Sequence, residues 1–136
     1  MSGTISNLVR GTSGDDSLVG TPRPDLITGD DGNDRIDGLA GNDMLLGGAG
    51  RDFVLGGRGD DLLFGEDGDD SLAGAEGNDT AISGAGGGNL DGDAGDDLLI
   101  GGAGEEFAFG GDGADTIRGG AGDDDLFGGA GNDLIE

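Results

Sequence analysis

The chain has 136 residues, of which 36 are Gly, 30 are acidic and 6 are basic, giving a formal net charge of −24. So much like charge on a chain that is only 32% hydrophobic repels itself and stays disordered in plain water, so a cation has to belong to the folded state. The absence of a basic face excludes nucleic acid as a partner, the absence of Cys excludes disulfides and thiolate zinc sites, and the absence of His removes the usual transition-metal ligand and catalytic base. Oxygen donors remain, and these suit calcium.

Met1 to Arg10 (MSGTISNLVR) precedes a repeat and is read as an N-terminal cap or linker. It lacks the apolar core of a secretory signal peptide. Ile5, Leu8 and Val9 are expected to cap the first coil, because repeat arrays need atypical ends to shield their core. From Gly11 the chain divides into fourteen nine-residue units without insertion or deletion, the last closing on Glu136. The consensus, G-G-x-G-x-D-x-U-x with U a branched aliphatic, is plainest in Gly47 to Phe64 (GGAGRDFVL, GGRGDDLLF). A period this strict dictates a solenoid.

The first two units, GTSGDDSLV and GTPRPDLIT, are loose, and Pro22, Arg23 and Pro24 replace the turn residues of the second. Six consecutive units from Gly29 to Ile82 keep the pattern. The ninth, SGAGGGNLD, then has Ser83 at position 1 and Gly88 in place of the Asp, and the eleventh, GGAGEEFAF, places Glu106 there. The last three units recover the consensus. No shift in composition marks a second domain within residues 11–136, and no apolar run approaches the roughly 20 residues of a membrane span.

Positions 1 and 4 are each Gly in 13 of 14 units, as expected where the backbone takes a positive φ or lets an ion approach. Position 6 is Asp in 12 of 14, and position 8 is Leu, Ile or Val in 12 of 14, Ala81 and Ala108 being the exceptions. Six turn residues and three extended ones leave room for a very short strand whose central side chain points inward. Two units then make one coil, and fourteen make about seven coils of an all-β parallel solenoid. Position 5 (Asp60, Asp69, Asn78, Asp96) is read as solvated turn surface. Positions 7 and 9 face outward. On the even-numbered units Met44, Leu46, Leu62, Phe64, Ile82, Leu98 and Ile100 are expected to form an apolar band, and such a band marks an interface. The odd units carry Phe53 with Leu55 and, farther along, Phe107, Phe109 and Phe127.

This nonapeptide resembles the calcium-binding repeat of the RTX (hemolysin-type) family over Gly11 to Glu136. The resemblance implies a right-handed parallel β-roll with calcium between turns stacked on one edge, hence between units n and n+2. It implies carbonyl ligands from positions 1 and 3 of the earlier turn and from positions 2 and 4 of the later one, completed by the position-6 Asp of both. Carried onto the even units, Asp25, Asp43, Asp61, Asp79, Asp97, Asp115 and Asp133 form an unbroken ladder. Between the fourth and sixth units the carbonyls would be those of Gly38, Ala40, Gly57 and Gly59. The next gap would use Gly56, Arg58, Ala75 and Gly77, and the one after it Gly74, Glu76, Asp93 and Gly95. The last two would use Gly92, Ala94, Gly111 and Gly113, then Gly110, Asp112, Gly129 and Gly131. A weaker sixth even site, with Leu39 and Gly41, would sit at the Pro22 to Pro24 turn.

The odd units place Asp16, Asp34, Asp52 and Asp70 in line, then Gly88, Glu106 and Asp124. Three sites are expected there. The first uses Gly11, Ser13, Asp30 and Gly32, the second Gly29, Asp31, Gly48 and Gly50, and the third Gly47, Ala49, Glu66 and Gly68. The gaps around Gly88 are expected empty or weak, with Glu106 and Asp124 forming a distorted site. About eight calcium ions, within a range of six to twelve, follow from this count, and eight would lower the formal charge from −24 to −8. The resemblance further implies a module that unfolds where calcium is scarce, passes a bacterial type I secretion channel and folds outside the cell. The family's C-terminal secretion signal would have been removed or would lie in a longer parent. Lacking His, Cys, Tyr, Trp and Lys, the chain shows no nucleophile with a base and is expected not to be an enzyme. The alternative reading is a surface-binding or adhesion module for polysaccharide, ice or protein. The expected partners are calcium and either a neighbouring domain or a second copy on the even sheet.

Overall fold

The computed structural model describes residues 4–136. In chain order the strands are β1 (Asn7–Arg10), β2 (Ser17–Val19), β3 (Asp25–Asp31), β4 (Arg35–Asp37), β5 (Met44–Ala49), β6 (Phe53–Arg58), β7 (Leu62–Asp67), β8 (Asp70–Glu76), β9 (Thr80–Gly84), β10 (Gly88–Ala94), β11 (Leu98–Ile100), β12 (Glu106–Asp112), β13 (Thr116–Arg118), β14 (Asp125–Ala130) and β15 (Leu134–Ile135). They form two parallel sheets. Eight strands run in the order β1-β3-β5-β7-β9-β11-β13-β15 and seven in the order β14-β12-β10-β8-β6-β4-β2. Successive units therefore alternate between sheets, and each strand pairs with the strand two units away, Leu45 with Leu63 and Val54 with Leu72. The result is an all-β solenoid of about seven turns. Among the described residues no helix is long and apolar enough to cross a membrane.

Position 8 forms the core. Ile27, Ile36, Leu45, Val54, Leu63, Leu72, Ala81, Leu90, Leu99, Ala108 and Ile117 are all buried, with Val9, Leu18 and Leu126 packed against their ends. One aliphatic side chain per unit suffices because consecutive units face each other across a narrow lumen, and the register of 18 residues stacks like on like.

Two features depart from the sequence reading. Several strands are longer than three residues, because positions 2 and 3 of the following turn continue the ladder, as in Asp30 with Gly48 and Asp31 with Ala49. The segment before Gly11 also joins the roll: β1 pairs with β3, Leu8 beside Leu26 and Val9 beside Ile27. Only Val9 reaches the core, whereas Ile5 and Leu8 are exposed. Met1, Ser2 and Gly3 of that segment lie outside the described residues.

The turns close tightly. Gly59 has a φ of 120°, and a Cβ built there would overlap the carbonyl oxygen of Gly41 in the coil below, so the position-4 glycine is required both by its conformation and by the stacking.

Candidate metal centre

Position 6 is the point where each turn enters its strand, and its carboxylate folds back under the turn rather than out to water. Asp25, Asp34, Asp43, Asp52, Asp61, Asp70, Asp79, Asp97, Glu106 and Asp115 are all at most 3% exposed. One oxygen of each carboxylate is accounted for. On the even edge Oδ1 of Asp43 accepts the Asp25 N–H at 2.8 Å, Oδ1 of Asp61 that of Asp43 at 2.7 Å, and Oδ1 of Asp79 that of Asp61 at 2.7 Å. The ladder continues through Asp97, Asp115 and Asp133 at 2.7 to 3.0 Å. On the odd edge it links Asp16, Asp34, Asp52 and Asp70 at 2.8 to 2.9 Å.

Except in Asp25, the other oxygen has no protein partner. Oδ2 of Asp34, Asp43, Asp52, Asp61, Asp70, Asp79, Asp97 and Asp115, and Oε2 of Glu106, are buried without any hydrogen bond. A buried polar atom left unpaired costs about 1–3 kcal/mol and more when charged, and a run of them along both edges calls for a cation. Each Oδ2 lies over position 1 of its own turn and faces the carbonyl of position 1 in the next coil. A Cβ on Gly38 would stand 2.5 Å from both Asp43 Oδ2 and the Gly56 carbonyl oxygen. The cradle is therefore a pocket of oxygens that glycine leaves open. Burial, reinforced by neighbouring acids, pushes the carboxyls of Asp43, Asp70 and Asp79 up to about 6 and those of Asp61 and Asp97 up to about 7. Asp52, Asp115 and Glu106 are raised for the same first cause.

The carbonyls are arranged with a polarity opposite to the expected one. The oxygens of positions 2 and 4 tilt toward the later coil: Leu39 O and Gly41 O reach the places where a Cβ on Gly57 or Gly59 would stand. Those of positions 1 and 3 tilt back toward the earlier coil, and Arg58 O accepts the Gly41 N–H at 2.7 Å. The gap between the fourth and sixth units thus gathers Leu39, Gly41, Gly56 and Arg58 carbonyls rather than Gly38, Ala40, Gly57 and Gly59. The same reversal applies in every consensus turn, because the direction of a carbonyl follows the sense in which the coils stack. Nowhere among the described residues do three side-chain metal ligands converge. A cage here is built mostly of backbone oxygen with carboxylates closing it, which suits a hard cation with many oxygen ligands.

Three turns are built differently. In eleven units position 2 has a positive φ, at Asp30, Leu39, Glu66, Ala75 and Asp93 as well as at Gly48, Gly57, Gly84, Gly111, Gly120 and Gly129, which turns its N–H away from the carboxylate. In units one and two position 2 is Thr, a β-branched residue that avoids that conformation. There the amide points inward: Thr12 N–H donates to Asp16 Oδ2 at 2.6 Å, its hydroxyl at 2.9 Å, and Thr21 N–H donates to Asp25 Oδ2. Asp16 and Asp25 are satisfied by their own turns. In unit eleven the longer Glu106 side chain reaches the Gly102 N–H at 3.0 Å and lies 3.5 Å from the Ser83 hydroxyl of the coil below. At Gly88 the ladder breaks, and the Asp70 N–H turns to the Gly87 carbonyl at 3.1 Å.

An outer ladder went unread in the sequence. Position-5 side chains, exposed as expected, also accept amides from the next coil, Asn33 N–H to Asp15 at 2.8 Å, Arg51 N–H to Asn33 at 2.9 Å and Asn78 N–H to Asp60 at 3.0 Å. The recurrence of Asp and Asn at this position was the available sign, since both accept a backbone N–H at short range.

The RTX calcium-binding nonapeptide repeat model matches residues 10–45, 46–81, 82–107 and 100–135. The third match is the shortest and contains Gly88 and Glu106, where the ladder is interrupted. No curated protein sequence matches the chain. With the repeat model covering nearly all of a roll whose stacked turns present buried, unpartnered carboxylates, the chain belongs to the RTX calcium-binding nonapeptide repeat family.

Proposed function

We propose that the chain is a calcium-dependent folding module of a secreted protein, with ions held between stacked turns on both edges. The observation that carries this reading is the row of eight buried Asp oxygens without partners. Five of these, on Asp43, Asp61, Asp79, Asp97 and Asp115, face the five even gaps from the fourth unit onward. The other three, on Asp34, Asp52 and Asp70, face odd gaps between units three and nine. About eight ions remain the count, but the gap above Asp16 is closed by Thr12 and the one above Asp70 takes its place. The reading assigns the chain no chemical step of its own. Export in an unfolded state and folding outside the cell follow from the same switch, since a chain that folds only with calcium stays unfolded where free calcium is scarce.

Calcium titration monitored by circular dichroism, with the ions counted by calorimetry, tests the proposal. About eight ions and a cooperative gain of β signal are expected, with magnesium substituting poorly because it sheds water reluctantly. A count of two or fewer would sink it. Within that scheme, Asp61→Ala removes an Oδ2 from one gap and an Oδ1 from the other. It should lower the calcium-loaded melting temperature by several degrees more than Asp124→Ala, whose neighbourhood is partly exposed and follows the Gly88 break. Equal losses would contradict the assignment of the even edge as the stronger one.

A second reading concerns the outward face of the eight-stranded sheet. Leu46, Phe64, Ile82 and Ile100 stand in one row across four consecutive coils, beside Met44 and Leu62. This continuous apolar band supports packing against a neighbouring domain or a second copy. Light scattering of the calcium-loaded chain decides it, and a strict monomer that binds no apolar dye would remove the reading.

A further inference from the structure

The seven-stranded sheet carries on its outer face a feature that the calcium ladder does not use. Along its rows Phe53 pairs with Ser71, Ser71 with Asn89 and Asn89 with Phe107, while Ala73 lies beside Asp91 and Asp91 beside Phe109. Two coils of small or polar side chains therefore separate two aromatic walls. At about 4.8 Å per strand the walls stand roughly 14 Å apart, and the groove between them encloses about 410 Å³. Phe127, with its ring centroid 5.4 Å from that of Phe107, extends the far wall.

The floor holds a second, independent observation. Asp91, half-buried, lines that floor although it is not part of either edge ladder; its Oδ1 is turned away from solvent, which leaves the rest of the carboxylate toward the groove. No Arg pairs with Asp91 among the described residues; the ion pairs are those of Arg10, Arg51, Arg58 and Arg118 with other acids. The same sheet already shows what cation its aromatics accept, since the Arg35 guanidinium lies 4.7 Å from the centroid of the Phe53 ring, on the side away from the groove. Aromatic faces attract cations, Arg most often. A half-buried carboxylate between two such walls is complementary to a planar guanidinium that donates to its accessible edge and stacks on a ring at once.

We propose that this groove is a docking site for an arginine side chain of a basic polypeptide segment, with Asp91 as the charge partner and Phe107 as the stacking wall. The net charge of the chain favours the same class of partner, because it stays negative even with eight calcium ions bound and steers basic segments toward the surface. The site exists only in the folded roll and so rests on the calcium-dependent fold.

The test uses the calcium-loaded chain, its fold verified by circular dichroism before each titration, so that failure of folding and failure of docking are read separately. The probe is an acetylated tetra-arginine amide, titrated by calorimetry in buffered salt that screens weak surface attraction. Saturable binding is expected. Asp91→Asn should weaken it about tenfold or more, as loss of a charge-assisted hydrogen bond does, and Phe107→Leu should weaken it several-fold through lost stacking. Asp37→Asn, on the same face but outside the groove, should leave it unchanged. Equal weakening by Asp91→Asn and Asp37→Asn would reduce the effect to net charge and overturn the proposal. Absence of peptide binding to the folded, calcium-loaded chain would do the same. So would binding of a neutral oligosaccharide that depends on Phe107 but not on Asp91. Should one variant fail to fold, the other still carries the comparison.

Discussion

Stripping calcium from the chain with excess chelator at pH 7 and low ionic strength should abolish its β signal, and adding calcium back should restore it. On the even edge Asp43, Asp61, Asp79, Asp97 and Asp115 follow one another at intervals of one coil. Adjacent coils lie about 4.8 Å apart. Two like charges at that spacing repel by on the order of 3 kcal/mol at an effective dielectric of about 20, and each also has an oxygen with no protein partner. The apolar core cannot offset this, because it consists of one aliphatic side chain per unit and includes Ala81 and Ala108. Calcium acts on both problems at once, supplying the missing partner and cancelling the charge. At a free concentration 100-fold above its Kd each independent site adds about 2.7 kcal/mol, so eight sites suffice to turn an unfolded chain into a folded one. Ordered strands that persist unchanged in chelator would refute this account. Raising the salt concentration of the metal-free chain should recover part of the signal, since screening weakens the repulsion but supplies no partner to the orphaned oxygens.

Acid should fold the metal-free chain where neutral buffer does not. Burial raises the carboxyls of Asp43, Asp70 and Asp79 from 3.8 to about 6 and those of Asp61 and Asp97 to about 7. A group whose folded value lies above its unfolded value binds its proton more tightly in the folded state. Its contribution to stability is then fully present below the unfolded value near 3.8 and is lost as pH rises through 6 to 7. A proton on Oδ2 removes the charge and converts an orphaned acceptor into a hydroxyl donor that can turn toward the position-1 carbonyl of the next coil. The far-UV spectrum in chelator should therefore gain β character as pH falls from 7 to 4. Over the same window calcium should bind less tightly, because it competes with protons for the same oxygens. A metal-free chain that stays disordered throughout this range would show that the carboxylates do not control folding. At Asp30 the shift has the opposite sign, because Arg10 holds that carboxyl below its usual value, chiefly through their hydrogen bond.

Asp61 and Asp43 were legible as inward-turned carboxylates because a single residue type recurring every nine positions beside a recurrent glycine has few structural uses. Leu45 and Val54 were legible as core for a similar reason, since the aliphatic at position 8 is the only inward side chain in a three-residue strand. The position-2 threonines were not read, although their β-branched side chains explain why Asp16 and Asp25 are satisfied by their own turns while Asp34 and Asp43 are not. Pattern counting treats position 2 as variable, whereas the backbone distinguishes a positive φ from a negative one.

The nine-residue period by itself determined the solenoid, its seven coils, the identity of its core and the two acidic edges. Each of these is a repeating local feature, and repetition forces like residues to stack on like. Only the tertiary structure decided which carbonyls face which gap, that Glu106 spans a coil to approach Ser83, and that Phe53 and Phe107 become two walls with Asp91 between them. Those properties depend on the direction in which one coil is laid on the next and on side chains brought to one face only after four coils are stacked, so no single unit contains them.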